Sequence, residues 1–295
     1  MRWLIVVCAI ICFIPYKASS QTNYSITVLN KNSEPIPFAV GITVDTIAYS
    51  NALGQLKFAN KPVELQIYAV GYKSLRIDDS NKQVVLDQSI READNAVPII
   101  TKVIENEALN NPFKVSNALD FKRYNRTLIK RDSISYKANN ENLFSERISR
   151  FYVEDNAVKE FVDGQKNQGF EQPVLKILSH RMHDLNWYDK TYVIFESDYA
   201  SPIHHSNLKG YNYYLIHSDE NFYFIKFTPN KQIEDRLLEG VLLIDKNFAL
   251  AGIYVSKNDE IKLDLNQKYE YNSDEKLWVS KQIDITMTPG KGGKL

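Results

Sequence analysis

The chain is predicted to be mainly β: an N-terminal β-sandwich, then a second domain built on an antiparallel β-meander or curved sheet with one or two helices. Three observations predict this. Aromatics make up 12 % of the 295 residues, led by 18 Tyr and 14 Phe, and aromatic side chains favour half-buried strands. Short stretches of period-2 alternation are separated by clusters of Asn, Asp, Gly and Pro, which are turn signals. Helical spacing is read in two stretches, residues 95–110 and 171–187. The length allows one large domain or two smaller ones.

Charge narrows the function classes. There are 36 basic and 36 acidic residues, so the net charge is zero. A binder of nucleic acid that works by massed charge carries an excess of Lys and Arg, so none is expected as a partner. The charged fraction is 24 % without a long block of one sign, unlike a disordered tail protein.

Residues 1–20 read as a signal peptide. Arg2 gives the positive start, Trp3 to Tyr16 is an apolar core too short to span a bilayer, and Ala18-Ser19-Ser20 supplies small residues for cleavage after Ser20. Both cysteines, Cys8 and Cys12, fall in this segment. The mature chain is therefore expected to have no disulfide, no thiolate nucleophile and no Cys-based zinc site. No later apolar run reaches the length of a membrane helix, so no transmembrane helix is expected in the mature chain.

Residues 21–90 are assigned to the sandwich. Ser25–Leu29 is a first strand, followed by the polar turn Asn30–Glu34 and the stiffening Pro35 and Pro37. Phe38 to Val44 is a second strand. Asn51-Ala52-Leu53-Gly54 is a turn with Gly54 at the φ > 0 position. Leu56 and Phe58 share one side of the next strand, residues 63–67 alternate again, and Val84-Val85-Leu86 closes the set. The runs Pro35-Ile36-Pro37-Phe38-Ala39, Ser50-Asn51 with Gly54-Gln55-Leu56, and Ala69-Val70-Gly71-Tyr72-Lys73 resemble the carboxypeptidase-regulatory-like domain. The resemblance implies a prealbumin-like sandwich without catalytic residues of its own, of a kind that often precedes outer-membrane proteins.

Residues 91–113 are a linker helix. Ile99, Ile100, Val103, Ile104 and Leu109 fall at helical spacing, Pro98 suits a first turn, and Asn110-Asn111-Pro112 ends it. Residues 114–289 form the second, β-rich domain. A helix over 171–187 has Val174, Leu178, Met182 and Leu185 on its buried face. Five strands follow at 222–228, 240–245, 249–256, 261–271 and 277–287, with hairpin turns at 246–247, 258–259 and 272–274. In the last strand Leu277, Val279, Ile283, Ile285 and Met287 are expected to share a face. The meander is expected to have one wet and one dry face. Residues 290–295 are read as a flexible tail.

This region also resembles a known family. Ile104-Glu105-Asn106, Asn110-Asn111-Pro112, Leu143 to Ser149, Ser201-Pro202-Ile203, Tyr211-Asn212-Tyr213, Phe224 to Pro229, Leu238 to Asp245 and Leu277 to Gln282 look like the conserved part of a large Gram-negative family of unknown function that is associated with the outer membrane. In that family the segment follows a regulatory-like sandwich in the same order. Its members usually continue into an outer-membrane barrel, so the chain is short relative to the family. Five strands are too few for such a barrel, which needs about eight or more. The strand Gly240 to Asp245 and its return also resemble the curved sheets of periplasmic lipoprotein carriers.

Little in the chain points to chemistry. There is no G-x-S-x-G elbow and no H-E-x-x-H helix. His180, His183, His204 and His205 are the one set able to hold zinc, but His180 and His183 lie opposite the apolar face of their helix and read as exposed or packing residues. His217 sits in a turn-like stretch. Glu234-Asp235 and Asp274-Glu275 are solvated turn pairs. Asp45-Thr46-Ile47 and Asp132-Ser133-Ile134 resemble an O-glycan acceptor pattern of some exported Gram-negative proteins. Tyr211, Tyr213, Tyr214, Phe222, Tyr223 and Phe224 are aromatic enough to line a sugar or lipid pocket, but packing of the sheet explains them better. No catalytic residue, cofactor site or metal site is assigned. The expected role is that of a non-enzymatic exported protein, a structural or interaction module in the periplasm at the outer membrane. Its expected partners are outer-membrane or periplasmic proteins. The alternative is a lipid- or lipoprotein-binding module using the concave face of the second-domain sheet.

Overall fold

A computed structural model describes residues 24–78, 82–90, 93–114, 119–130, 142–154, 157–169, 186–194, 197–230, 237–258 and 261–289. The signal segment, the helix expected to start at residue 171, and the tail fall outside them, apart from residues 186–187.

Seven short strands make the first domain: β1 (Tyr24–Leu29), β2 (Val40–Ile42), β3 (Ile47–Tyr49), β4 (Gln55–Phe58), β5 (Leu65–Tyr68), β6 (Leu75–Ile77) and β7 (Gln83–Val85). They form two sheets, β4-β1-β7 and β3-β2-β5-β6. Alternation decides which side chains point between the sheets. Ile26, Val28, Leu56, Phe58, Leu65, Ile67 and Val84 all join one buried cluster. Each such side chain contributes roughly 1.5–3 kcal/mol when withdrawn from water. The turn before β4 is built as expected: Gly54 has φ 71°, and a Cβ there would stand 2.6 Å from Val28 O. Buried Ser50 ties the β3 end inward, accepting from Ala39 N at 2.7 Å and donating to Ile36 O at 2.9 Å. Strands β3 and β6 are absent from the sequence reading.

The linker forms α1 (Val97–Glu105) and the single turn α2 (Glu107–Asn110). Asn95 Oδ1 accepts from Val97 N at 2.9 Å, and Pro98 fits the first turn, whose N–H groups lack helical partners anyway. Ile100 and Val103 are buried. Leu109, expected on the same face, is exposed, because the helix breaks at Asn106 before the face can continue.

The second domain is a nine-stranded sheet. Its strands are β8 (Leu119–Ile129), β9 (Leu143–Glu154), β10 (Ala157–Gln168), β13 (Tyr211–Ser218), β14 (Phe222–Pro229), β15 (Glu239–Asp245), β16 (Leu250–Asn258), β17 (Ile261–Asn272) and β18 (Leu277–Pro289). The spatial order is β10-β9-β8-β18-β17-β16-β15-β14-β13, with no closure into a barrel among the described residues. All five expected meander strands are present in order. Every contact in the sheet is antiparallel except β18 with β8, which pair in parallel. A small hairpin, β11 (Thr191–Ile194) with β12 (Ser197–Ala200), lies between the two groups of strands in the chain.

One face of the sheet carries α1, Trp187, Tyr188, Tyr192 and Ile203, packed on Ile225, Leu242, Ile253, Leu265 and Ile285. We call it the helix face. The other, the sandwich face, presents Phe224, Val241, Ala251 and Tyr254 to Phe38 and Val40 of the first domain. The expectation of one wet face fails here. The described residues of β15 and β16 are buried on nearly every position, because the sandwich covers what a lone meander would leave in water. Ile283, Ile285 and Met287 of β18 join the main core, and beyond a register shift between Lys268 and Tyr269 Val279 joins a second cluster with Leu119, Phe121 and Phe151.

Candidate functional site

The residues singled out by sequence disperse in the structure. His204 and His205 stand at the start of a short 3-10 turn, His205–Gly210, with ring centroids 4.2 Å apart. His204 Nδ1 accepts from Ser206 N at 3.2 Å, so it serves as a cap. Burial, and then the charge of His205, lower its pKa. His180 and His183 lie outside the described residues. Among the described residues no three His, Cys, Asp or Glu side chains converge on a point where a metal would sit.

His217 is not in a turn. It belongs to β13, and its ring stacks on Tyr68 of the sandwich with centroids 3.8 Å apart and touches Phe224 at 5.8 Å. The sequence hides this, because the partner ring comes from another domain. Desolvation lowers the His217 pKa, Asp219 opposes the shift and Lys246 adds to it.

The aromatic stretch is structural. Tyr211 and Tyr213 are buried and donate to Ala200 O and Pro202 O, each at 2.6 Å. Phe224 is buried, Phe222 meets Trp278 edge-on at 5.9 Å, and Tyr223 stacks on Phe248. Asp274 and Glu275 lie in an exposed turn whose backbone N–H groups are held by Asn272 Oδ1. Glu234, Asp235 and the 132–134 triplet lie outside the described residues. Thr46 is exposed at the tip of the β2–β3 hairpin, braced by Thr43, whose Oγ1 accepts from Thr46 N at 2.9 Å.

Three arrangements that sequence reasoning missed stand out. The first is a cleft of about 420 Å³ between the domains, where Tyr49, Gln55 and Lys57 face Tyr254, Asp264 and Asp284. Asp264 accepts from Tyr254 Oη at 2.9 Å and Ser256 Oγ at 2.8 Å. Asp284 accepts from Gln282 at 2.6 Å, and burial raises its pKa. These contacts pin the carboxylates to their own sheet. A second cleft, about 480 Å³, lies on the sandwich alone beside Val44 and Pro62.

The second arrangement is an edge. β10 is 12 residues long and pairs only with β9 among the described residues. Val158, Phe161 and Val162 on it are 44, 52 and 45 % exposed. The opposite edge is closed by the chain itself: Ala96 N donates to Tyr213 O at 3.1 Å and Leu215 N to Asp94 O at 2.9 Å. Lys159, Asp163 and Lys166, and a register shift between Val162 and Gly164, are the features that keep such an edge from indiscriminate pairing.

The third is a belt of buried polar side chains on the helix face of β8 and β9. Arg123, Asn125, Thr127, Ser145, Arg147 and Ser149 are all buried. The Arg123 guanidinium lies 4.1 Å over the Phe151 ring. Arg147 Nη2 is 3.0 Å from Glu160 Oε1 of β10, a close ion pair without hydrogen-bond alignment.

The family described as "Family of unknown function (DUF5686)" matches residues 99–293. No curated protein and no solved structure matches the chain.

Proposed function

Since the chain belongs to that family of unknown function, we propose that it is a non-enzymatic exported module of structure and interaction, working at the periplasmic side of the outer membrane. The observation that carries the interaction reading is the β10 edge, which pairs only with β9 among the described residues. Among the described residues, a sheet that closes one edge with its own linker and leaves the 12 residues of the other paired on one side alone offers a row of N–H and C=O groups to a partner strand. The half-exposed Phe161 and Val162 on that strand give such a partner apolar contacts. Export rests on residues 1–20. The outer-membrane address rests on the resemblances of both domains, including that of the sandwich to carboxypeptidase-regulatory-like domains. The motif residues Gly54 and Gly71 both take the positive φ such turns need.

The test places a photo-crosslinking residue at Phe161, and separately at Tyr214 on the closed edge, in the full chain expressed in a Gram-negative host. The processed chain is expected in the envelope fraction, with a discrete adduct from position 161 and none from 214. An unprocessed chain in the cytoplasm ends the export reading. Equal adducts from both positions, or none, end the edge reading.

A further inference from the structure

The polar belt holds a pair that the fold does not explain. In β8 the inward row reads Leu119, Phe121, Arg123, Asn125, Thr127, Ile129, and in β9 Leu143, Ser145, Arg147, Ser149, Phe151, Val153. Both rows are apolar at their ends and polar in the middle, and all twelve residues are buried. The ladder sets Asn125 directly opposite Arg147 and Thr127 opposite Ser145. Most of these side chains have partners: Ser145 Oγ donates to Asn167 Oδ1 at 2.8 Å, and Arg147 Nε to Ser149 Oγ at 3.2 Å.

Asn125 differs. It is 4 % exposed, yet neither Oδ1 nor Nδ2 has a hydrogen-bond partner, and Arg147 Nη1 beside it has none either. Directly opposed residues have Cβ atoms about 5 Å apart. An amide oxygen and a guanidinium at that spacing are natural partners, yet no hydrogen bond joins them. On its other side Asn125 faces Ile283 of β18, which offers nothing polar. Buried polar groups are almost always paired, and exceptions mark an absent water or ion, or a functional role.

We propose that Asn125 and Arg147 form an internal receptor for an oxyanion group, a carboxylate or a phosphate. One oxygen of the group accepts from Asn125 Nδ2 and from Arg147 Nη1, the one guanidinium nitrogen without a partner, since Nε donates to Ser149 and Nη2 pairs with Glu160 at 3.0 Å. The planar fork of Arg suits such oxygens. Asn125 Oδ1 takes the hydroxyl of a hydrogen phosphate or a water bound with the anion. The apolar residues at both ends of the two rows suit either a small inorganic ion or the anionic head of an amphiphile. A single buried water is the competing occupant.

The experiment is thermal unfolding of the full chain at matched ionic strength in chloride, phosphate, acetate and octanoate. A ligand held only by the native state raises the unfolding temperature, by several degrees at about 100 times its dissociation constant. A rise in phosphate or acetate over chloride identifies a free anion. A rise in octanoate well beyond acetate identifies an amphiphile head. Asn125→Leu is expected to lose the response while unfolding at a higher temperature without anion, since the unpaired amide is gone. Asn125→Asp supplies its own carboxylate to Arg147 and is expected to do the same, so either variant decides if the other fails to fold. No rise over chloride in the wild type means water alone and overturns the proposal, as does a wild-type response retained in both variants.

Discussion

One stacked pair in the cluster that joins the two domains is expected to contribute measurably to their association. Tyr254 of β16 lies on Tyr49 of β3 with ring centroids 5.4 Å apart and planes 10° from parallel. Phe38 meets the same ring at 6.3 Å. Replacing Tyr254 by Ala removes a large buried aromatic at a cost of about 3–5 kcal/mol. Tyr254→Phe removes only the hydroxyl donated to Asp264, which still accepts from Ser256 at 2.8 Å, so the loss is about 0.5–1.5 kcal/mol. The contact between the rings is isolated by a double-mutant cycle of Tyr49→Ala and Tyr254→Ala. An offset aromatic pair predicts a coupling of roughly 0.5–1.5 kcal/mol. The assay is urea unfolding followed by tryptophan fluorescence, since Trp278 packs against this cluster, and by circular dichroism. Wild type should unfold in one transition seen alike by both probes, and Tyr254→Ala should separate them as the sandwich comes free. If the two single losses add to within about 0.3 kcal/mol, the stack carries no energy between the domains and the reasoning is refuted.

Two further perturbations probe the same architecture. Gly240→Ala should be severely destabilising and should lower soluble yield, because its Cβ would stand 2.0 Å from Tyr254 O across the β15–β16 ladder; a variant with unchanged unfolding temperature would show that this ladder has slack. Burial lowers the pKa of His217 in the folded state, so the unfolded chain takes up the proton first. Stability should be complete above about pH 6.5 and fall as the pH drops below it. His217→Phe, which keeps a ring against Tyr68, should flatten that slope in pH-dependent denaturation, leaving the part due to His204, whose pKa is also lowered. An unchanged slope would remove His217 from the account.

What the sequence showed and what it hid follow from range. The five strands from Phe222 onward are apolar or alternating runs, and the last four are joined by short turns, so local pattern places them within a residue or two. The Gly54 turn was legible because only one backbone conformation suits that spacing. Long-range facts were not. The parallel pairing of β8 with β18 joins Tyr124 to Gln282, and nothing near either residue announces it. The cover over Tyr254 and His217 comes from another domain, so nothing near either residue in the chain announces it. The break at Asn106 that leaves Leu109 in water shows the reverse error, a period carried one turn too far.

The polar belt was illegible for a more particular reason. β8 reads Leu-Asp-Phe-Lys-Arg-Tyr-Asn-Arg-Thr-Leu-Ile, with charges on both rows, and by pattern alone it is a wet strand. Its register is fixed by the apolar ends: Leu119, Phe121 and Ile129 must face inward, and a slip of one residue would expose them all. The same choice carries Arg123 and Asn125 into the interior. Stability alone would favour an apolar residue at 125, since an unpaired buried amide costs about 1–3 kcal/mol. Arg123 on the same row rests its guanidinium on the Phe151 ring, whereas neither polar atom of Asn125, opposite Arg147, has a hydrogen-bond partner. Such isolated failures are where a sequence departs from its most stable solution for the sake of something it must do. The edge of β10 is a second departure, and it lies on the strand next to the first, with Glu160 reaching from it to Arg147. An occupant of the belt would therefore bear on the strand that a partner is expected to join.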